Sequence, residues 1–416
     1  MGIKGLLTLL KPITESVHIS RFRNRTVAID MMQWLYKGTY SIAEELISHF
    51  DNPNEKCLSF VGYPVKMLKM FESFNIKVIC VFDGRFLALK AETMEKRHET
   101  KQNYVERAKE ALTRGDIFEA TRNLERGVSV NRWMVDFAVA TVKALGFEAL
   151  VAPYEADSQI AYLVREGHAD FAISEDSDLL VFGCPVLVTK LKKDGKCELI
   201  DLPKLKDSFD QGDASLDKTI RQVASLKPRQ FMEMCVLSGC DYLSSVQGIG
   251  LKTAVKLIYE KKSARLALTS IRHNKQWTKK IPDKYLDEFE KVMLCFVYQR
   301  VFKYPERTQL ICADGQPLPP EVVEKWGASV IEKYTGATVP EHLCHSYSFG
   351  DLFLGGPELR EKASDELFLE KDVVKGLNSA GFSFEMCKFG YDPTSRTVGE
   401  LQKQESELQK IIQEIH

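Results

Sequence analysis

The chain has 416 residues, 57 Lys and Arg against 58 Asp and Glu, a formal net charge of −1, and 44% hydrophobic residues. This is the composition of a soluble globular protein with one large or two modest domains, and no apolar run approaches the roughly 20 residues that a membrane span needs. Ten cysteines stand singly with no Cys-x-x-Cys pair, which fits a reduced compartment and excludes a zinc site of ordinary spacing. Nucleic-acid-binding domains are often basic overall, so the balanced charge counts mildly against that class unless the charge is segregated.

From Met1 to Pro12 there is a short leucine-rich stretch without a small-residue cleavage site, so no secretory signal is expected. Leu6 stands where a myristoylation motif needs Ser or Thr. Val27-Ala28-Ile29 predicts a short strand ending at Asp30, followed by an amphipathic stretch from Gln33 to Ile47. Lys77 to Phe82 is a nearly continuous apolar strand ending in Asp83-Gly84. Leu87 to Arg132 is rich in Lys, Arg, Glu and Gln, and reads as one or two exposed helices that bury little surface. Strands follow at Phe147 to Ala152 and at Phe171 to Ile173, the latter running into Ser174-Glu175-Asp176. Apolar strands separated by helical segments predict a parallel sheet with helices on both faces. In such sheets the ligand site lies beyond the carboxyl ends of the strands, where Asp30, Asp83 and Asp176 all sit.

Further along, Leu202 to Thr219 reads as a polar loop and Phe231 to Leu237 as a helix. Cys240 to Tyr259 predicts a helix-turn-helix around Gly248-Ile249-Gly250. From Gly350 the chain becomes acidic, and Val398, Leu401, Leu408, Ile412 and Ile415 give a final amphipathic helix expected to dock on the body.

Asp30, Asp83, Glu155, Asp157, Asp176, Asp178 and Asp241 are the candidate functional acids. Glu155 with Asp157, and Asp176 with Asp178, are spaced i, i+2. That spacing shares one face of a strand, or lies around the first turn of a helix. Singly, each such acid is more often a helix cap or a surface ion-pair partner. Together they would repel one another without cations. Hard divalent ions with oxygen ligands resolve this, and magnesium needs few direct carboxylates because it keeps its waters. Two such ions about 4 Å apart could activate a water and stabilise the leaving oxygen of a phosphodiester. A phosphatase-type site competes, yet Asp30 is followed by Met31-Met32 and not by an Asp-x-Asp pattern.

At these residues the sequence resembles the flap-endonuclease/XPG superfamily of structure-specific 5′ nucleases, most closely its exonuclease 1 branch. The matching stretches are Met1 to Leu7, Val81-Phe82-Asp83-Gly84, Val151 to Asp157, Ser174 to Leu180, and Ser238 to Ser245 running into Gly248-Ile249-Gly250. The resemblance implies an α/β fold: a parallel-sheet core of the PIN/5′-nuclease type, with a helical arch and a helix-two-turn-helix element. Its implied division is a nuclease region over 1–99, an arch over 87–132, an internal nuclease region over 133–230, the clamp over 231–290, a return to the core over 291–350 and a tail over 351–416. All seven acids are implied ligands of two magnesium ions, with manganese as a substitute. Lys90 and Arg97 match arch residues that contact the scissile phosphate, and their spacing of two helical turns puts both on one face. Ser238, Ser245 and Ile249 match positions that hold a potassium ion beside a DNA phosphate. Gly248 and Gly250 allow close backbone approach, while Lys252 and Lys256 could add phosphate contacts.

Tyr36 departs from the histidine common in exonuclease 1 relatives; it is either a stacking wall for a displaced nucleotide or a core-facing aromatic. The end, Gln409 to His416, lacks the paired aromatics of a flap endonuclease's clamp-binding peptide. The expected activity is 5′ to 3′ exonuclease and 5′-flap cleavage of DNA ends, nicks, gaps and flaps in DNA repair. The resemblance also implies a monomer with mismatch-repair partners in the nucleus. The rivals are a replication-type flap endonuclease, a catalytically silent junction binder, and a phosphohydrolase of small molecules. The silent binder would have lost acids that are all present, and the phosphohydrolase has no use for an arch.

Overall fold

A computed structural model describes residues 2–43, 59–130, 132–273, 281–311 and 317–350. The helix expected over Val398 to Ile415 lies outside the described residues, as does the end of the stretch from Gln33 to Ile47.

Seven strands form one sheet in the order β1-β7-β6-β5-β2-β3-β4. These are β1 Glu15–His18, β2 Thr26–Asp30, β3 Lys77–Phe82, β4 Glu148–Val151, β5 Phe171–Ile173, β6 Val186–Thr189 and β7 Lys196–Asp201. From β6 to β4 every pairing is parallel, while β7 and β1 close one edge antiparallel. The parallel strands are buried on both faces, which is why β3 reads as an unbroken apolar run rather than an alternation. After β2 the chain builds outward through β3 and β4, then returns to lay β5 on the other flank of β2. Between β2 and β5 the connections diverge, leaving a crevice at the carboxyl ends.

Between β3 and β4 the chain makes its polar excursion. A 3-10 turn at Ala88–Lys90 leads into the helix Ala91–Thr113, which pairs with Ile117–Gly127. Small residues allow this close pairing, since Ala108, Ala111 and Ala120 are fully buried along with Leu124. The excursion ends at Gly127, because the next helix, Arg132–Ala144, buries Met134, Val135, Ala138 and Val142 in the main core.

The segment Leu202 to Thr219 is not a continuous loop. It contains the helix Leu202–Asp210, capped by the Asp201 side chain accepting from the Lys204 amide, with Pro203 in the first turn. Leu205 is buried with Ile220 and Ala224, and Phe209 packs beside them. A one-sided stripe this short hides in a polar composition.

The helices Pro228–Leu237 and Leu251–Lys261 pair across the loop that holds Asp241. Met234 to Leu237, Val246, Ile249, Val255 and Ile258 share one core with the sheet, so this clamp is not an independent domain. The helix Tyr285–Tyr298 packs on it, and the helix Pro320–Thr335 packs in turn on Tyr285–Tyr298. The buried Arg307 donates to the Ala149 and Ser348 carbonyls and ties the last described helix, Glu341–Ser348, to β4.

Candidate active site

The acids arise from the ends of four neighbouring parallel strands and one loop. Asp30 ends β2 and caps the following helix: its Oδ1 accepts from the Met32 amide at 3.0 Å, and its Oδ2 from the Ser174 hydroxyl at 3.1 Å. Ser174 itself accepts from the Gln33 amide at 2.8 Å and the Asp176 amide at 3.0 Å, so its hydroxyl hydrogen is left for Asp30. Gln33 also accepts from the Glu175 amide at 2.6 Å. This network spans the crevice between β2 and β5.

Asp83 follows β3, and its Oδ1 accepts from the Ala156 amide at 2.8 Å. Gly84 makes that approach feasible: a Cβ there would stand 1.9 Å from the Ala152 carbonyl oxygen, and the Gly84 amide donates to Tyr154 at 2.7 Å. Glu155 and Asp157 belong to a helix start, as N-cap residue and first-turn residue of Ala156–Arg165. Glu155 does not cap that helix; its carboxylate turns to the Lys90 ammonium, the Tyr242 hydroxyl and the Gln299 amide. Asp176 accepts from the Asp178 amide at 3.0 Å, and Asp178 opens the short helix Asp178–Val181. Asp178 Oδ1 is buried without a hydrogen-bond partner. Asp241 accepts from Arg97 at 2.6 Å, and its backbone carbonyl accepts from the Thr93 hydroxyl at 2.9 Å.

These groups lie in one electrostatic field. Burial, then Asp83 and Asp176, pushes Asp30 up to about 7. Asp157 is raised by burial, then by Asp176 and Asp30. Asp178 is raised by burial and then by Asp176, and Asp176 itself by burial. Burial would depress Lys90, but Glu155, Asp157 and Asp178 outweigh it and hold its ammonium above the usual lysine range. Lys90 is thus an internal counter-ion among the carboxylates.

The donor set suits hard divalent ions: oxygens only, mutually repelling, with a buried orphan at Asp178. No three His, Cys, Asp or Glu side chains among the described residues are close enough to hold an ion as they stand. The set would have to draw together around its cations, with water completing the shell.

Lys90 is the N-cap residue of the arch helix, at the end of the 3-10 turn, and Arg97 lies two turns into the helix. Tyr36 faces the arch rather than the core. Its hydroxyl accepts from Lys101 at 3.3 Å, and the Lys101 ammonium lies 4.6 Å from the ring centroid. Burial, then Arg97, lowers Lys101 to about 8. Lys96, Arg97, Lys101 and Arg126 line an open cleft of about 740 Å³ whose other wall is the loop Cys240 to Ser244. In sequence Lys101 and Arg126 read as solvated cations, although Lys101 falls one helical turn after Arg97.

In the clamp, Gly248 has φ 93°, a region that favours glycine. Gly250 caps Leu251–Lys261 without a side-chain cap bond to the first-turn amides, and open space surrounds the position of its Cβ. Lys252 and Lys256 are exposed on this helix. Ser245 lies against Gly239, the residue after Ser238, since a Cβ on Gly239 would stand 3.1 Å from the Ser245 nitrogen. The Ser238 hydroxyl donates to the Cys235 carbonyl at 2.7 Å, and the Ile249 side chain is buried, so Ile249 could offer an ion only its carbonyl.

The family model for the XPG N-terminal domain matches residues 1–104, including Asp30, Asp83, Lys90 and Arg97. That for the XPG I-region matches residues 146–241, including the other five acids. The chain is similar to exonuclease 1 of Danio rerio, 35% identical over 326 residues that make up 76% of this chain and 38% of that protein. It is also similar to exodeoxyribonuclease 1 of Saccharomyces cerevisiae, 34% identical over 76% of this chain and 43% of that protein. The chain thus spans about two fifths of the length of these relatives. Its fold is similar to the catalytic core of Rad2 in complex with DNA substrate, with a TM-score of 0.50 and 16% identity over 83% of this chain and 99% of that one.

Proposed function

The chain belongs to the XPG family, alongside its exonuclease 1-type members, and we propose that it is a magnesium-dependent, structure-specific DNA nuclease. It hydrolyses phosphodiesters near 5′ ends, as a 5′ to 3′ exonuclease on duplexes and an endonuclease on 5′ flaps. The observation that carries this reading is the convergence of seven carboxylates at the ends of β5, β2, β3 and β4 and in the clamp loop, with the Lys90 ammonium among them.

Asp30, Asp83, Glu155, Asp157, Asp176, Asp178 and Asp241 would hold two magnesium ions, with manganese as a substitute. When bound, the ions supply an activated water and neutralise the charge that develops on the leaving oxygen. Lys90 and Arg97 pair with Glu155 and Asp241, and their ammonium and guanidinium groups are the ones placed to grip the scissile phosphate. Ser238, Ser245 and Ile249 would hold a potassium ion, while the open turn at Gly248 and Gly250 and the cations Lys252 and Lys256 meet the duplex backbone. Tyr36 and Lys101 form the wall met by the terminal nucleotide, the ring by stacking and the ammonium by its charge. The protein acts as a monomer in the nucleus, in DNA repair that includes mismatch repair.

The direct test is to incubate the full chain with 5′-labelled nicked, gapped and flapped duplexes. The expected result is release of short 5′ products in magnesium and none in EDTA. Cleavage that persists in EDTA, or binding without any cleavage in magnesium, would overturn the proposal.

A further inference from the structure

Glu155 is held by three side chains from three different elements. Its Oε2 accepts from the Tyr242 hydroxyl and, at 3.2 Å, from Gln299 Nε2, while its Oε1 faces the Lys90 ammonium. Tyr242 belongs to the clamp loop, next to Asp241. Its ring stands edge-on to Phe296 at 5.3 Å, and the Lys90 ammonium lies 5.1 Å from the ring centroid. Gln299 caps the C-terminus of Tyr285–Tyr298 and is wholly buried. Turning its amide over would set Oε1 against a carboxylate oxygen, so the donation to Glu155 fixes its orientation. Two donors from different elements therefore converge on one oxygen of one acid.

We propose that Tyr242 and Gln299 are positioning residues that commit Glu155 Oε2 to the protein and leave Oε1 as the oxygen it offers to a cation. This rests on the metal-centre reading above and specifies how one ligand of that centre is held. Oε1 is also where the Lys90 ammonium sits, so a cation bound there would compete with Lys90 for the same oxygen. Because Tyr242 lies in the clamp loop and Gln299 at the end of the helix packed on it, the seating of the clamp is tied to the geometry of a metal ligand.

The test measures manganese binding to the full chain without DNA, by the loss of the free-ion electron paramagnetic resonance signal, for wild type, Tyr242→Phe and Gln299→Met. Each variant is expected to bind manganese about tenfold more weakly, the usual cost of losing an outer hydrogen bond to a ligand. Cleavage should recover as magnesium is raised, and duplex binding in EDTA should be unchanged. The double variant should lose less than the product of the single losses, because both donors hold one oxygen. Wild-type manganese affinity in folded variants would overturn the proposal, as would a loss of activity that excess magnesium fails to restore. If Gln299→Met does not fold, Tyr242→Phe decides alone, since it removes only a hydroxyl. A wild-type protein that binds no manganese would instead sink the metal-centre reading itself.

Discussion

The strand-end floor and the arch above it are held in place by opposite means. Beneath the floor lie β5, β2, β3 and β4, buried on both faces, so the carboxylates are fixed by a core they do not contribute to. In the described structure their own interactions are largely repulsive, and burial adds to the strain. The arch has a thin internal seam of alanines and one leucine; Leu87 and Leu89 pack its base on Tyr154 and Cys295, and polar contacts join it to the floor: Lys90 to Glu155, Arg97 and Thr93 to Asp241, and Lys101 to Tyr36. The polar contacts include Lys90 and Arg97, the groups assigned to the phosphate. Damage to the floor should therefore remove the chemistry without loosening the fold, whereas damage to the arch should slow the chemistry and spare the metal.

The largest separation is expected from Asp178→Ala. Cleavage of a nicked duplex in magnesium should fall by more than about 100-fold, since losing a ligand costs more than losing a group that merely orients one. Duplex binding in EDTA should be retained. The same change deletes a buried, unpartnered carboxylate oxygen, so the thermal midpoint in EDTA should rise. A lower midpoint together with intact cleavage would erase the contrast between floor and arch.

Next in size is Lys90→Ala. Losing one charge-stabilising donor at a reacting phosphate should slow cleavage by about 10²–10³-fold. Manganese affinity should be no lower than in wild type, because the variant has lost a cation that competes for Glu155 Oε1. A variant that loses manganese in step with activity would make Lys90 part of the floor.

A smaller effect is expected from pH. Asp30 sits near 7 in the folded protein, against about 4 for an ordinary carboxylate. In EDTA the folded state therefore binds a proton through this window that the unfolded state has released. Stability should fall as pH rises from about 4 to 7. Calorimetry should show a declining midpoint in EDTA and a flatter profile in magnesium; a rising midpoint in EDTA would contradict the burial of this carboxyl.

The smallest effect concerns neither region directly. Lys252→Glu on the clamp helix should weaken duplex binding similarly across sequences and lower the salt slope by about 1. An unchanged slope would remove Lys252 from the backbone contacts.

Much of the floor was legible in the sequence because apolar strands end abruptly at acids. Lys77 to Phe82 followed by Asp83-Gly84 specifies a buried parallel strand and the position of its carboxylate at once. The helix after Asp201 was not legible, since one buried leucine in a polar stretch gives little periodicity. Gln299 was invisible for another reason: a lone glutamine at a helix end has no pattern, and its role depends on Glu155, 144 positions away in sequence. Tyr242 and Lys101 left faint signals, one beside Asp241 and the other a turn after Arg97. The alanine seam of the arch left no signal, because small residues bury little area each yet allow two helices to close.

The account stands most directly on where cations bind. Crystals of the full chain soaked in manganese should give two anomalous peaks among Asp30, Asp83, Glu155, Asp157, Asp176, Asp178 and Asp241, with Lys90 moved off Glu155. No peak among these residues, or manganese bound only elsewhere on a protein that cleaves DNA, would contradict it.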